Sequence, residues 1–345
     1  MVNTKAIIIL RKYPFGGAER QADLLIESFK EKNIKVDIIS IESENSFNKD
    51  ESSIFALNQK LVGLSLSPLS IINNFKLYKA IIKLVKNKYD IIITFSQLYF
   101  LGLIFKKVKT FISIRMFYPN TKSTIRVYLL KKFNMIITNN LPQYSLLNAL
   151  EIKSTLINNT IQPKIILSKY KNNKIFKCLI ISNYSERKNI GVVLKAFQKI
   201  DMEYFELKII GYNKNLPQKY KYYNQKNISW VGHVSENKII NYYEKFDCLI
   251  HASFREGASN AILDAMCYGM PVLASRIPEN ISLIGNNSNF LFNPNDPDEL
   301  VEKIEQLSLL KNTSDIKKYL DYQKLKVKND YSTKNNEDLI KEILY

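Results

Sequence analysis

Residues 254–284 read FREGASNAILDAMCYGMPVLASRIPENISLI, and their spacing predicts a helix that runs into a buried strand. Gly257, Ala258 and Ser259 stand where the helix starts, and Ala261, Ile262, Leu263, Ala265 and Met266 follow at helical spacing. Gly269 and Pro271 stop it, and Met270–Ala274 reads as the strand. The first amides of a helix and its dipole both favour negative charge, so a start lined by small residues is a ready anion site. Two carboxylates accompany it eight residues apart, Glu256 before the helix and Asp264 two turns on, roughly on the same side. Small residues let a phosphate reach backbone amides, and a nearby carboxylate accepts hydrogen bonds from sugar hydroxyls. The combination suits a nucleotide-sugar diphosphate.

The stretch closely resembles the donor-site motif of the retaining GT-B glycosyltransferases of family 4, E-G-x-x-N-x-x-L-E-A-M-A-x-G-x-P-V. Glu256, Gly257, Asn260, Leu263, Ala265, Met266, Gly269, Pro271 and Val272 meet it, and the motif's second Glu is Asp264, a carboxylate shorter by one methylene. The resemblance implies a GT-B architecture, with two doubly wound Rossmann-like domains facing a central cleft and a last helix crossing back to the first domain. It also implies roles. Glu256 contacts the donor sugar and stabilises oxocarbenium character at the anomeric carbon, Asp264 binds ribose, and Gly257, Ala258, Ser259 and Asn260 lie at the diphosphate.

Two further segments are similar to parts of the same family. SNYSERKN, residues 182–189, resembles G-R-L-x-x-x-K-N/G, so Lys188 takes the place of the phosphate-binding lysine. The family's Arg is Asn183 and its Gly is Ser182, and Arg187 supplies a second cation with a bidentate fork. GGAER, residues 16–20, follows the first strand; Gly16 and Gly17 permit a sharp turn and a close backbone approach, and the family's equivalent loop lies against the donor phosphates. His233, in SWVGHV, falls in a loop that in the family runs beside the base, whereas His251 on an apolar strand reads as structural. Arg115, at the end of the strand Thr110–Ile114, is a candidate acceptor or cleft residue. No histidine in the amino-terminal half is available as a general base. A retaining enzyme tolerates this, because the family's usual proposal has the leaving phosphate take the acceptor proton. Asp296-Pro297-Asp298 is formally the metal motif D-x-D, but it reads as a helix N-terminus. No metal and no cofactor beyond the nucleotide-sugar substrate is expected, and no Cys/His cluster has zinc spacing.

Outward from these motifs the chain repeats strand and helix. Ala6–Leu10, Val36–Ile41, Ile91–Phe95, Thr110–Ile114 and Met135–Thr138 read as buried strands, with a helix from about Ala18 to Lys32. After Pro163 the rhythm restarts with Cys178–Ser182, Leu207–Gly211, Ile228–Val231, Cys248–His251 and Val272–Ala274. Continuous apolar runs of this kind predict parallel sheets covered on both faces. The expected domains are 1–165 for the acceptor, 166–328 for the nucleotide-sugar, and a helix over 329–345 packing on the first, with 158–176 as linker. A chain of 345 residues is long enough for two cores.

Charge is uneven. Residues 52–150 carry fourteen Lys or Arg against one acid, Asp90, so a net +13 of the chain's +18 lies there. Lys76, Lys79, Lys83 and Lys86 recur on one face of an amphipathic helix, among Ile71, Ile72, Phe75, Tyr78, Ile81, Ile82 and Val85. Such a helix suits an anionic membrane surface, and a plain solvated face is the alternative. No nucleic-acid motif accompanies the charge, so nucleic acid is not an expected partner. No signal peptide is expected, since the apolar run Ala6–Leu10 is too short for one, and no run reaches the ~18 apolar residues that cross a bilayer. Cys178, Cys248 and Cys267 form no C-x-x-C pair and read as small core residues in a reducing compartment, the cytoplasm. The expected activity is retaining transfer of a sugar to a glycan or polyprenyl-linked acceptor at the inner face of the cell membrane, in bacterial surface polysaccharide synthesis. The alternatives are a degenerate GT-B domain that binds without turnover, motivated by Asn183, and a nucleotide-sugar epimerase, for which the amino-terminal half scarcely offers acid or base groups.

Overall fold

The computed structural model describes every residue except 1–3, 14, 15, 45, 50, 51, 60, 62–67, 117, 119–122, 162–173, 183, 184, 212–224 and 287. Most of the expected linker 158–176 and Asn183 therefore lie outside the described residues. The chain forms two compact units, Met1–Thr160 with Thr333–Tyr345, and Ile161–Ser332.

Unit 1 runs β1 (Lys5–Leu10), α1 (Gly17–Glu31), β2 (Lys35–Ser40), β3 (Phe47–Lys49), β4 (Ser52–Ala56), α2 (Pro68–Val85), β5 (Ile91–Thr94), α3 (Leu101–Ile104), β6 (Lys109–Ile114), α4 (Thr124–Leu130), β7 (Met135–Thr138), α5 (Leu141–Ala149) and β8 (Ser154–Leu156). Among the described residues these strands form one eight-stranded sheet in the order β3-β4-β2-β1-β5-β6-β7-β8. All its pairs are parallel except the edge pair β3–β4. The sequence reading expected parallel strands only, and this hairpin corrects it.

Unit 2 runs β9 (Phe176–Ile181), a 3-10 turn (Glu186–Lys188), α6 (Ile190–Phe197), β10 (Phe205–Ile210), β11 (Ile228–Val231), α7 (Glu236–Lys245), β12 (Cys248–His251), α8 (Asn260–Cys267), β13 (Val272–Ser275), α9 (Pro278–Ile284), β14 (Leu291–Phe292), α10 (Pro297–Leu310) and α11 (Ser314–Asp330). Its six strands are all parallel, in the order β11-β10-β9-β12-β13-β14. Asp296 caps α10 by accepting from the amides of Asp298 and Glu299, and Pro297 takes the first helical position. The formal D-x-D is thus a helix cap. Cys178 and Cys248 face each other on β9 and β12 in the core, whereas Cys267 is only half-buried.

The last helix, α12 (Lys334–Leu344), belongs to unit 1. Successive residues of β1 alternate between the two faces of its sheet. Ala6, Ile8 and Leu10 meet Ala22, Leu25, Ile26 and Phe29 of α1 together with Leu339, Ile340 and Ile343 of α12. Ile7 and Ile9 meet Leu77, Ile81 and Val85 of α2 and the residues of α3 and α4 on the other side. Removing one large member, as in Phe29→Ala, costs about 3–5 kcal/mol. Lys109 Nζ donates to the carbonyls of Ile343 and Leu344 at 3.2 and 2.6 Å, so a strand residue caps the carboxyl end of α12. Among the described residues no helix is long and apolar enough to cross a membrane.

Candidate functional site

β9 and β12 are neighbours in the sheet of unit 2, so the loops that leave their carboxyl ends meet, the place where ligands collect in doubly wound sheets. The first loop makes the 3-10 turn at 186–188, and Asn189 follows in the left-handed region at φ 48°. The second runs from Ala252 to Ser259. Backbone joins them: the Phe254 amide donates to the Arg187 carbonyl at 2.9 Å, and Arg187 Nη1 donates to the Arg255 carbonyl at 2.8 Å. Behind them Ser275 Oγ at the end of β13 donates to the Ser253 carbonyl and is itself held by Asn280 Nδ2 at 3.1 Å.

This frame brings Lys188, Arg187 and Glu256 together. Lys188 Nζ lies 2.7 Å from Glu256 Oε1, and Arg187 Nη1 lies 2.8 Å from Oε2. Ser253 Oγ donates to Oε1 at 2.6 Å, and His251 Nε2 stands 3.2 Å from the same oxygen. Glu256 is 6% exposed. Burial alone pushes its carboxyl upward, but the His251 contact and the charges of Lys188 and Arg187 outweigh it and hold the group well below the ordinary range. His251 goes the other way: burial lowers it, Glu256 partly restores it, and Lys188 and Arg187 lower it again, so the ring is neutral at pH 7. The Glu256 amide donates to Glu279 Oε1 at 3.4 Å, and burial raises that second carboxyl.

Two findings modify the sequence reading. Glu256 does not stand open to a sugar, because both its oxygens are occupied by groups of this chain. Nor is His251 merely a packed core residue, since it touches Glu256, as does Ser253. Neither was legible, because a histidine or serine at a strand end looks the same whatever stands 3 to 5 residues along. Arg187 points to the cluster, the orientation that Asn183 in place of Arg made worth checking.

α8 begins at Asn260, not at Gly257, with Ser259 as N-cap and no hydrogen bond from its side chain. Gly257 and Ser259 are buried and Ala258 half-buried in the preceding turn. Asp264 is therefore one turn into α8 rather than two, and its side chain is buried. The helix closes with the Gly269 amide on the Met266 carbonyl and the Met270 amide on the Ala265 carbonyl, with Gly269 at φ 66°. This glycine-closed turn holds Met270, so β13 starts at Val272 and not at Met270. Asp264 is outside the contacts of Glu256. So is His233, which is exposed beyond β11 with β10 and β9 between it and β12.

Unit 1 holds three more of the expected residues at the carboxyl edge of its own sheet. Gly16 and Gly17 are exposed, with Gly16 at φ 140°. Glu19 folds back so closely that any side chain at position 16 would strike its Oε2. Glu19 is 8% exposed, and burial drives its carboxyl up to about 7; a bond from its own amide and the charge of Arg11 oppose this, while Asp23 adds to it. Arg115 follows β6. It is no ordinary surface residue: Nε donates to Ser113 Oγ at 2.9 Å, Nη1 to Asn159 Oδ1 at 2.6 Å, and the fork lies over the Phe95 ring at 5.0 Å.

Comparison with known proteins bears on the fold and on unit 2. Residues 162–324 match the family described as Glycosyl transferases group 1. Over 145 residues the chain is 30% identical to Protein CapJ of Staphylococcus aureus, a match that spans 40% of this chain and only 37% of CapJ. Among solved structures, Anabaena HepE in complex with UDP-glucose superimposes with a TM-score of 0.75 at 15% identity, over 98% of this chain and 99% of that one. WaaG, a glycosyltransferase involved in lipopolysaccharide biosynthesis, does so with a TM-score of 0.73 at 13% identity, over 99% of each. The chain thus has the two-unit GT-B fold of these structures, and its residues 162–324 match the group 1 glycosyl transferases.

Proposed function

We propose that this protein is a retaining, metal-independent glycosyltransferase that moves a sugar from a nucleotide-sugar to a glycan or polyprenyl-linked acceptor, in bacterial surface polysaccharide synthesis. The observation that carries this is the convergence of Lys188 and Arg187 on Glu256 beside the start of α8. HepE, which shares the fold, takes UDP-glucose, and this supports a nucleoside diphosphate sugar as donor.

The diphosphate sits against the turn of Gly257, Ala258, Ser259 and Asn260, where the helix dipole favours an anion. Lys188 and Arg187 turn from Glu256 to the phosphates and offset the charge that builds on the leaving group, the work a metal does elsewhere. Glu256, oriented by Ser253 and His251, is then free to face the sugar and stabilise positive charge at its anomeric carbon. The bond from that carbon to phosphate oxygen breaks, and the bond to the acceptor oxygen forms on the same face. The acceptor proton passes to the departing phosphate. Asp264 holds ribose, with side-chain adjustment to bring its buried carboxylate to the hydroxyls, and His233 flanks the base. The Gly16-Gly17 loop and Arg115 of unit 1 serve donor phosphate and acceptor respectively. Lys76, Lys79 and Lys83 of α2 and Lys86 just past its end are exposed with Phe75, a surface suited to anionic lipid at the cytoplasmic face of the membrane.

Thermal stabilisation by UDP, GDP, ADP and the matching sugar nucleotides, run beside Asp264→Ala, tests the reading. A ligand at about 100 times its Kd adds ~2.7 kcal/mol. Selective stabilisation by one nucleotide, lost in the variant, is expected. Indifference to all of them overturns the donor site.

A further inference from the structure

Arg115 is a cation without an anion. Its three contacts, Ser113 Oγ, Asn159 Oδ1 and the Phe95 ring, carry no charge, and among the described residues no carboxylate pairs with it. Buried charges in proteins are normally paired, because stripping water from them costs several kcal/mol per ion. Burial lowers this guanidinium to about 10, which still leaves it charged at neutral pH. By surface area the residue as a whole is half-buried.

The frame around it is built and rigid. Asn159 Oδ1 also accepts from Asn139 Nδ2 at 2.8 Å, which ties the end of β6 to the end of β7. Asn159's carbonyl accepts from Asn335 Nδ2 at 3.4 Å. Thr160, next along, is locked to Gln21 of α1 in both directions, at 2.7 and 2.9 Å. Asn139 is itself 5% exposed, with a buried Oδ1 that has no hydrogen-bond partner. With Nε and one proton of Nη1 engaged by the protein, Arg115 retains Nη2 and the second Nη1 proton, a pair of donors that fits two oxygens of one oxyanion. The site lies at the carboxyl edge of a doubly wound sheet, where such folds bind their ligands.

We infer that Arg115 is the receptor for an oxyanion carried by the acceptor substrate, either a phosphate of a lipid-linked carrier or a carboxylate of an acidic sugar. The inference rests on the proposed function for the word acceptor only; the anion site stands on its own geometry.

The experiment uses the full chain carrying Lys188→Ala, which weakens the rival anion site of unit 2. Inorganic pyrophosphate and glucuronate are titrated separately by calorimetry, with Arg115→Gln and Arg115→Lys added in turn. One of the two anions is expected to bind, with affinity about tenfold or more weaker in Arg115→Gln and partly recovered in Arg115→Lys. Pyrophosphate as the winner points to a lipid-linked carrier and glucuronate to an acidic sugar. Binding of neither, or equal binding with and without the guanidinium, overturns the inference. Should Arg115→Gln fail to fold, the Nε–H resonance of Arg115 in the otherwise unaltered chain must move with the anion, and a stationary signal overturns it equally. UDP titrated into the unmodified protein keeps the two ideas apart: loss of UDP binding there sinks the transferase reading and leaves the anion site standing.

Discussion

Glu19 and Glu256 stand at similar places in the two units, each beyond a strand of a parallel sheet and beside a helix start, and each is less than a tenth exposed. Their carboxyls shift in opposite directions. Glu256 is gripped by Lys188, Arg187, Ser253 and His251 and stays ionised far into acid. Glu19 has no such grip, and its nearest acting cation, Arg11, is paired with Glu42 at 3.0 Å. Unit 1 holds half of the chain's Lys and Arg, yet none of them neutralises the buried glutamate there. Local geometry, not net charge, fixes the state of a buried acid.

The largest test of the contrast is Lys188→Ala. It leaves Glu256 buried and short of a cation, and a broken buried pair costs about 3–5 kcal/mol. Turnover should fall by about 10²-fold or more as leaving-group stabilisation goes. Denaturant midpoints and a radiolabelled sugar transfer assay read the two effects, and unchanged stability would mean that Arg187 alone neutralises the site.

Glu19→Gln comes next. Between the ordinary 4.5 and about 7 the folded protein keeps a proton that the unfolded chain has lost, so stability falls as pH rises through that window. The span is at most about 3 kcal/mol. The glutamine variant should flatten that slope and be the more stable protein at pH 8. Glu256 has the opposite sign: its contribution is complete at neutral pH and is lost as pH falls below the ordinary carboxylate range. If the slope near neutrality persists in Glu19→Gln, the contrast between the two glutamates fails.

Gly16→Ala drives a methyl into the Glu19 carboxylate in a backbone region that alanine avoids, at a cost of about 1–3 kcal/mol. Thermal melting against pH should show the neutral-range slope shrinking as Glu19 is displaced toward water. His251→Asn is the gentlest. It removes a neutral contact from Glu256 that falls short of hydrogen-bond geometry, so the cost stays below about 1 kcal/mol and the urea midpoint should shift by no more than that with Lys188 still in place.

Much of this was legible in the residues, for stated reasons. Runs such as Ile91–Ile93 and Cys248–Ile250 are apolar throughout because a parallel strand is covered on both faces. Gly269 before Pro271 announced the end of α8, and Asp296 before Pro297 the start of α10. The strands β3, β4, β8 and β14 went unread, being two to five residues long and, in β3 and β8, mostly polar. At the site, the pairing of Lys188 with Glu256 bridges 68 residues and is made by strand order, which no local pattern contains. Glu19 was passed over for a physical reason: an acid in a first turn suits the helix dipole, and nothing in its neighbours reveals that it is buried. The tight fit over Gly16 was equally invisible.

Because α12 completes unit 1 after the whole of residues 161–332, the order of synthesis runs against the order of packing. On a ribosome adding ~5–20 residues per second, the apolar face of Ala6, Ile8 and Leu10 waits on the order of ten seconds or more for Leu339, Ile340 and Ile343. During that interval unit 2, whose chain is continuous, can finish folding first. The nascent amino-terminal half is the part that a chaperone has reason to hold.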